Sequence, residues 1–364
     1  MDRMLLNQKT VSDRKSIRRI QRQSKKIYGK GKSILKTKIG KLVKLVAGEK
    51  RNIQAGAIRQ PDLEELQKLL EEAQLTGMSG NGFLVGVKIE RILQKKSPRI
   101  LIVNGVECEP GLIHDRWLMK YCREQISSGI QILQQALSFD RCILAYSMDR
   151  EEQRSRRKKK RTEKFEVCHV PAVYPMGEEH FLIKQVLGIE IPKEEHPVNH
   201  GILILNVQTV LQIYNIVSGT YEKGRYLTAA NLDTGEATVI YAAGGEKIRQ
   251  RLQKMYPMNT DTNCFAGGGI MRAHEITDED VFTDQICFVA VGSPTEISNT
   301  QPCKGCGKCN RKCPAGVDIR EIVKRREKDI RADISGLGLE NCVHCGCCAF
   351  FCRAGKDTAA YFGE

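Results

Sequence analysis

The stretch RILIVNGVECEPGL, Arg99 to Leu112, decides how the chain is organised. Four apolar residues, Ile100 to Val103, read as a buried strand, and Asn104, Glu107 and Glu109 follow it in a loop. Amide and carboxylate groups gathered at the carboxyl end of a strand are the usual ligand edge of an α/β sheet. Outward from this point, a helix is expected around Glu124 to Leu137, then the strand CILAYS. After a charged excursion at residues 151–161 come FEVCHV, the helix HFLIKQVLG, and GILILNV feeding another helix. Upstream, PDLEELQKLLEEAQL reads as a helix with Pro61 in its first turn and an apolar face of Leu63, Leu66, Leu69 and Leu70. Strands alternating with helices at this spacing predict an α/β fold with a largely parallel sheet.

The boundaries follow from shifts in character. Residues 1–51 form a basic N-terminal arm, 52–222 the α/β domain, 223–295 a small module of short β-type runs with one amphipathic segment, and 296–364 a cysteine domain. The net charge of +15 sits almost wholly in the arm, which has seventeen Lys/Arg against Asp2, Asp13 and Glu49. The arm reads as a solvated tail or as a dock for an acidic partner or an anionic membrane surface. Nucleic acid is not expected as a partner, because Tyr28 is the arm's one aromatic for base stacking. The apolar runs are too short to span a bilayer and no leader is evident, so the expected location is cytoplasmic, with peripheral membrane contact through the arm.

Nine of the fifteen cysteines lie between Cys303 and Cys352. CKGCGKCNRKCP places Cys303, Cys306, Cys309 and Cys313 in C-x2-C-x2-C-x3-C-P, and CVHCGCCAFFCR repeats the spacing with Cys342, Cys345, Cys348 and Cys352. Three close thiols wrap one face of a cubane cluster, while the fourth ligates the other cluster. The expectation is therefore two [4Fe–4S] clusters, one on Cys303, Cys306, Cys309 and Cys352 and the other on Cys342, Cys345, Cys348 and Cys313. Zinc is disfavoured, since structural zinc sites use paired C-x2-C knuckles. Cys347 reads as a neighbour, not a ligand.

Clusters relay single electrons and need a source. TGMSGNGFLVGVKI, Thr76 to Ile89, offers Gly77, Gly80, Gly82 and Gly86 for close approach to a phosphate, with Lys88 as a charge. By itself the run reads equally as a turn with no ligand. YPMGEE (Tyr174 to Glu179) and LNVQT (Leu205 to Thr209) add aromatic, carboxylate, amide and hydroxyl groups at further element ends.

Taken in order, these segments resemble the flavin- and NADH-binding subunit family shared by respiratory complex I and the C subunit of the Rnf electron-transport complex. The family's G-x-G-G-A-G-F-P-T-x-x-K loop is matched by Gly77 to Lys88, although Asn81, Leu84 and Val85 replace its alanine, proline and threonine. NGVECEPGL with Asp115-Arg116, Tyr174 to Glu179, and Asn206 to Thr209 match three further segments. The resemblance implies a complex I flavoprotein-like α/β domain, a β-grasp module with a GGG-I-M turn at Gly267 to Met271, and a C-terminal α-helical dicluster ferredoxin domain. It also implies FMN with its phosphate on Gly77, Gly80, Gly82, Gly86 and Lys88, bordered by Asn104, Glu107, Asn206 and Thr209. NAD(H) is implied as substrate, lined by Phe83, Glu109, Tyr174, Glu178 and Glu179. FMN accepts a hydride and releases electrons singly. The expected function is an electron-transfer oxidoreductase subunit working from NAD(P)H to a partner reductase or electron-transport complex. The alternative is a flavin-free iron–sulfur carrier docking between a donor and a terminal reductase. The lack of the membrane-complex members' N-terminal domain favours a soluble branch, of the proline-reductase-associated or cobalamin-reductase type.

Overall fold

A computed structural model describes residues 44–48 by their backbone, and 59–79, 82–96, 98–107, 109–147, 164–260, 262–293 and 301–363 in full. The basic arm up to residue 43 and the excursion at 151–161 lie outside the described residues. The chain divides into two units, one within residues 38–295 and one within 296–364.

The larger unit opens with strand β1 (Lys44–Gly48), so sheet structure begins inside the span expected to be arm. Helix α1 (Leu63–Ala73) starts where the Asp62 carboxylate accepts from the Glu65 N–H at 2.9 Å. This cap satisfies a backbone donor that the first turn leaves orphaned. Pro61 accordingly stands one residue before the cap, not inside the first turn. The leucines fall on one face, and Leu66 and Leu70 are buried. Helix α2 (Val85–Leu93) follows the glycine loop and buries Val85, Ile89 and Ile92.

Strand β2 (Ile100–Gly105), helices α3 (His114–Tyr121) and α4 (Arg123–Leu137), and strands β3 (Arg141–Ser147) and β4 (Glu166–Val170) come next. Helix α5 (Glu179–Leu187), strand β5 (Ile202–Asn206) and helix α6 (Val207–Val217) complete the layer. The four strands form a sheet in the order β4-β3-β2-β5. Every pairing in it is parallel, Ile102 lying opposite Ile143 and Ile204. Strand β2 is nearly continuously buried, as a strand covered on both faces must be. The apolar core joins Leu101, Val103 and Leu144 of this sheet to Leu118, Ile130 and Leu211 of the helices.

The chain then makes strands β6 (Arg225–Asn231) and β7 (Glu236–Ala242), helix α7 (Ile248–Met255), and strands β8 (Asn263–Gly267), β9 (His274–Glu275) and β10 (Phe288–Gly292). The second sheet runs β1-β7-β6-β10-β8-β9. Strands β6 and β7 form an antiparallel hairpin, β10 returns parallel to β6, and β8 pairs antiparallel with β10. A hairpin, a helix, and a last strand parallel to the first at the sheet centre make the β-grasp arrangement expected for this module. Strand β1 extends it by pairing parallel with β7.

The smaller unit holds helices α8 (Lys308–Lys312), α9 (Ile319–Lys328) and α10 (Cys347–Phe350) around a core of Val317, Ile319, Ile322 and Val323.

Candidate functional site

The strand order of the parallel sheet creates the site. The chain winds from β2 out through β3 to β4, then crosses to β5 on the other side of β2. Between β2 and β5 successive connections leave in opposite directions, and the crevice beyond their carboxyl ends is where such sheets bind ligands. Asn104, next to the last residue of β2, and Asn206, the last of β5, lie side by side in register.

The glycine loop is pinned over this crevice. The Met78 N–H donates to Thr209 Oγ1 at 2.9 Å, and Arg225 Nη2 donates to the Met78 carbonyl at 2.6 Å. Thr76 Oγ1 donates to Asp284 at 2.7 Å, and Gly77 and Phe83 close the loop's neck through an N–H to carbonyl bond of 2.8 Å. Helix α2 then starts with no side-chain cap, because Leu84 occupies the capping position. A methyl group added at Gly86 in its first turn would meet nothing within 4 Å, so that face is open. Lys88, one turn on, lies 3.5 Å from Glu179 at the start of α5. Phe83 is exposed, with Arg91 over its ring at 5.3 Å. Gly80 and Asn81 lie outside the described residues.

Several expected flavin neighbours build the crevice by bonding to groups on the elements around it. Asn104 Nδ2 donates to the Gly177 carbonyl at 2.8 Å and its Oδ1 accepts from the Val106 N–H, which ties the end of β2 to the YPMGEE loop. Asn206 caps α6 through Gln208 N–H and donates to Asp115 at 2.7 Å. Glu107 accepts from the Asp115 and Arg116 N–H groups, capping α3 from outside. Glu178 caps α5 through His180 and Phe181, and Tyr174 is buried. Glu109 meets the GGG turn, where Arg272 Nη2 holds its carboxylate at 2.6 Å. A Cβ at Gly269 would fall 2.0 Å from that carboxylate, so only glycine fits the contact.

Behind the crevice, Glu107, His114 and Asp115 converge. Burial, and then Asp115, push the Glu107 carboxyl well above the ordinary range. Burial raises Asp115 to about 6 against the pull of Asn206 and Arg225. Burial and Arg225 lower His114 to about 3, so its imidazole is neutral, and its Nδ1 meets Thr228 Oγ1 at 3.2 Å. Arg225, Asp284 and Arg272, which brace the loop and Glu109, come from the β-grasp module. Nothing in the local sequence marks them, because the loop and Glu109 groups they hold lie 147 to 208 residues away.

In the smaller unit the two cysteine runs adopt one local design. Gly305 and Gly307 have positive φ in the first run, and His344 and Gly346 in the second. Each first cysteine accepts from the N–H two residues on at 3.4 Å, Gly305 to Cys303 and His344 to Cys342. Short helices α8 and α10 follow. Cys303, Cys306, Cys309 and Cys352 line one small cavity. Burial, and then the proximity of Cys345, raise the thiols of Cys313 and Cys348, and Cys342 packs in the same apolar cluster as both. Cys347 is buried beside Cys345 and hydrogen-bonded to it. Cys352 of the second run thus lies with three cysteines of the first, and Cys313 of the first run lies near Cys345 of the second.

Comparison with known proteins bears on the α/β domain. The family model of the Nuo51 FMN-binding domain matches residues 70–215. The C subunit of the ion-translocating oxidoreductase complex of Rhodobacter capsulatus is 27% identical over 270 residues, 72% of this chain and 52% of that protein. Its counterpart from Pectobacterium carotovorum is 28% identical over 258 residues, 68% of this chain and 34% of that protein. The C subunit of the Na(+)-translocating ferredoxin:NAD(+) oxidoreductase complex of Acetobacterium woodii is 23% identical over 281 residues, 76% and 63% of the two chains. The chain thus spans about half the length of the Rhodobacter protein and about a third of the Pectobacterium one. Among solved structures, an NAD+-reducing [NiFe]-hydrogenase in the H2-reduced state aligns with a TM-score of 0.53 at 20% identity. That alignment covers 63% of this chain and 46% of the other, a likeness of fold.

Proposed function

We propose that this RnfC-like chain, built on a Nuo51-type domain, is an electron-transfer oxidoreductase subunit. In this reading it carries FMN at the β2/β5 crevice and two [4Fe–4S] clusters on its eight paired-run cysteines. NAD(P)H is the donor and a partner protein the acceptor. The observation that carries the reading is the glycine loop held across the switch point by Thr209 and Arg225.

The residues present suit FMN. The first turn of α2 has no side-chain cap and is open at Gly86, which leaves room for a phosphate, and Lys88 supplies a cation whose charge Glu179 partly balances. When bound, FMN supplies the exchange between a two-electron hydride and single electrons. Asn104, Asn206 and Thr209 fix the walls, because each spends its polar atoms on backbone or side-chain partners across the crevice. Phe83 offers an exposed aromatic face for a nicotinamide nucleotide. Glu109, held by Arg272, acts in this reading by fixing the acidic loop against the GGG turn. In the cysteine domain, backbone N–H groups aimed at Cys303, Cys313 and Cys342 offset charge on the sulfurs.

None of the described helices is long and apolar enough to cross a membrane, and membrane association in this reading is peripheral. Anaerobic purification with iron, sulfide and flavin measured on one sample tests the proposal. The expected result is about eight iron per chain, two cubanes' worth, stoichiometric FMN, and bleaching on addition of NADH. Full iron with no flavin, even after reconstitution with FMN, leaves the flavin-free carrier instead.

A further inference from the structure

The two cysteine runs fold alike but carry different charge. Between Cys303 and Cys313 stand Lys304, Lys308, Arg311 and Lys312 and no carboxylate, whereas residues 342–352 contain no Asp, Glu, Lys or Arg. The structure concentrates this difference at one opening. The cavity lined by Cys303, Cys306, Cys309 and Cys352 is rimmed by Lys304, Lys308, Arg320 and Arg353, and none of its described lining residues is acidic. Lys304, Arg320 and Arg353 are exposed. Lys356, also at the cavity, is buried and ion-paired with Glu327 at 2.7 Å, so it belongs to the interior. Cations from three separate segments, 304–308, 320 and 353, thus meet around one thiol set.

We propose that this rim is the docking surface for an acidic one-electron carrier protein, which exchanges its electron with the cluster on Cys303, Cys306, Cys309 and Cys352. The inference rests on the iron–sulfur reading above and assigns the partner's chemistry and its place of contact. A cationic ring steers an anionic protein and fixes its orientation, which raises association rates more than it deepens contact. The ring also surrounds the centre itself. Adding an electron adds one negative charge, which nearby cations stabilise, so this cluster holds electrons more readily than the one with an uncharged run. The relay therefore runs between the uncharged and the cationic end. In the exchange one electron leaves the carrier's centre and one enters this cluster, or the reverse, and no proton or atom moves.

The test uses the whole chain, purified anaerobically with its clusters, and a plant-type [2Fe–2S] ferredoxin as the acidic probe. Affinity is measured by calorimetry with both proteins oxidised, so that no potential or flavin enters. The rate is measured by mixing dithionite-reduced, desalted ferredoxin with the oxidised chain. Charge reversal at Lys304→Glu with Arg353→Glu is expected to weaken binding and slow exchange about tenfold or more at low salt, and to abolish most of the salt dependence. Arg331→Glu, outside the rim, is expected to leave both unchanged. Equal affinity and rate in the rim variant, at full iron content and with an unaltered reduced-cluster EPR signal, overturn the docking surface alone. Absence of iron from the wild-type protein overturns this inference and the proposed function together.

Discussion

Replacing Thr209 with valine isolates the bond that holds the glycine loop over the crevice. Valine keeps the shape of threonine, and Thr209 is 1% exposed, so packing changes little. The loss is the acceptor for the Met78 N–H, itself buried and 2.9 Å away. Leaving a buried donor unsatisfied costs about 1–3 kcal/mol. Arg225 still holds the Met78 carbonyl, which confines the damage to one bond. For a unit of this size each kcal/mol moves Tm by about 2–4 °C, so a fall of roughly 2–12 °C is expected by differential scanning calorimetry. Because the same bond positions the loop, FMN affinity measured by fluorescence quenching is expected to fall about tenfold, which corresponds to about 1.4 kcal/mol. Thr209→Ser keeps the hydroxyl and is expected to bind FMN as the wild type does. If Thr209→Val matches the wild type in both Tm and flavin affinity, the loop is not held at this point and the crevice reading is wrong.

Other perturbations test other parts. Gly269→Ala drives a methyl into the Glu109 carboxylate and breaks its pairing with Arg272; with Arg272 partly exposed, about 2–3 kcal/mol is expected, read from chemical denaturation. Unchanged stability would mean that the GGG turn does not abut the acidic loop. His114, lowered to about 3, binds no proton in the folded state while the unfolded chain takes one below about 6.5. Its contribution is therefore complete above about 6.5 and is lost as pH falls toward 3, whereas Asp115, raised to about 6, works in the opposite sense between about 6 and 3.8. Between pH 6 and 5 the two nearly cancel, and His114→Gln should leave a protein that gains up to about 1.4 kcal/mol relative to wild type per unit of falling pH. Parallel pH profiles for the two proteins would refute a neutral buried His114. Cys352→Ser, assayed for iron and by EPR, should lose the cluster on the first run and keep the other, lowering iron from about eight to about four per chain; loss of the second run's cluster instead would reverse the crossed ligation.

Local chemistry made much of this protein legible. The apolar run at Ile100 to Val103 has strand character, and GILILNV repeats it, so the alternation of elements follows from periodicity. The cysteine spacing limits which thiols can share one local turn, because two residues between successive cysteines leave the chain few ways to turn. Helix α1 was also legible, but its start was not: the Asp62 carboxylate caps the first turn, so Pro61 stands before the helix and not inside it. Strand β1 was less visible, since Lys44 to Gly48 lies within a basic stretch and its order comes from pairing with β7, almost two hundred residues on.

The sequence by itself determined the residue types of the crevice and of the thiol sets, since glycine, amide and cysteine patterns report local backbone geometry. Tertiary structure alone decided what those side chains do. Asn104 holds the loop at Gly177, Glu107 and Asn206 hold Asp115 of α3, Thr209 holds the glycine loop, Glu109 faces Arg272, and Arg225 reaches from the second sheet to Met78. These partnerships depend on which strand lies beside β2 and on where the β-grasp sheet packs. Both are settled by burying apolar surface across the whole fold, a quantity no short segment contains.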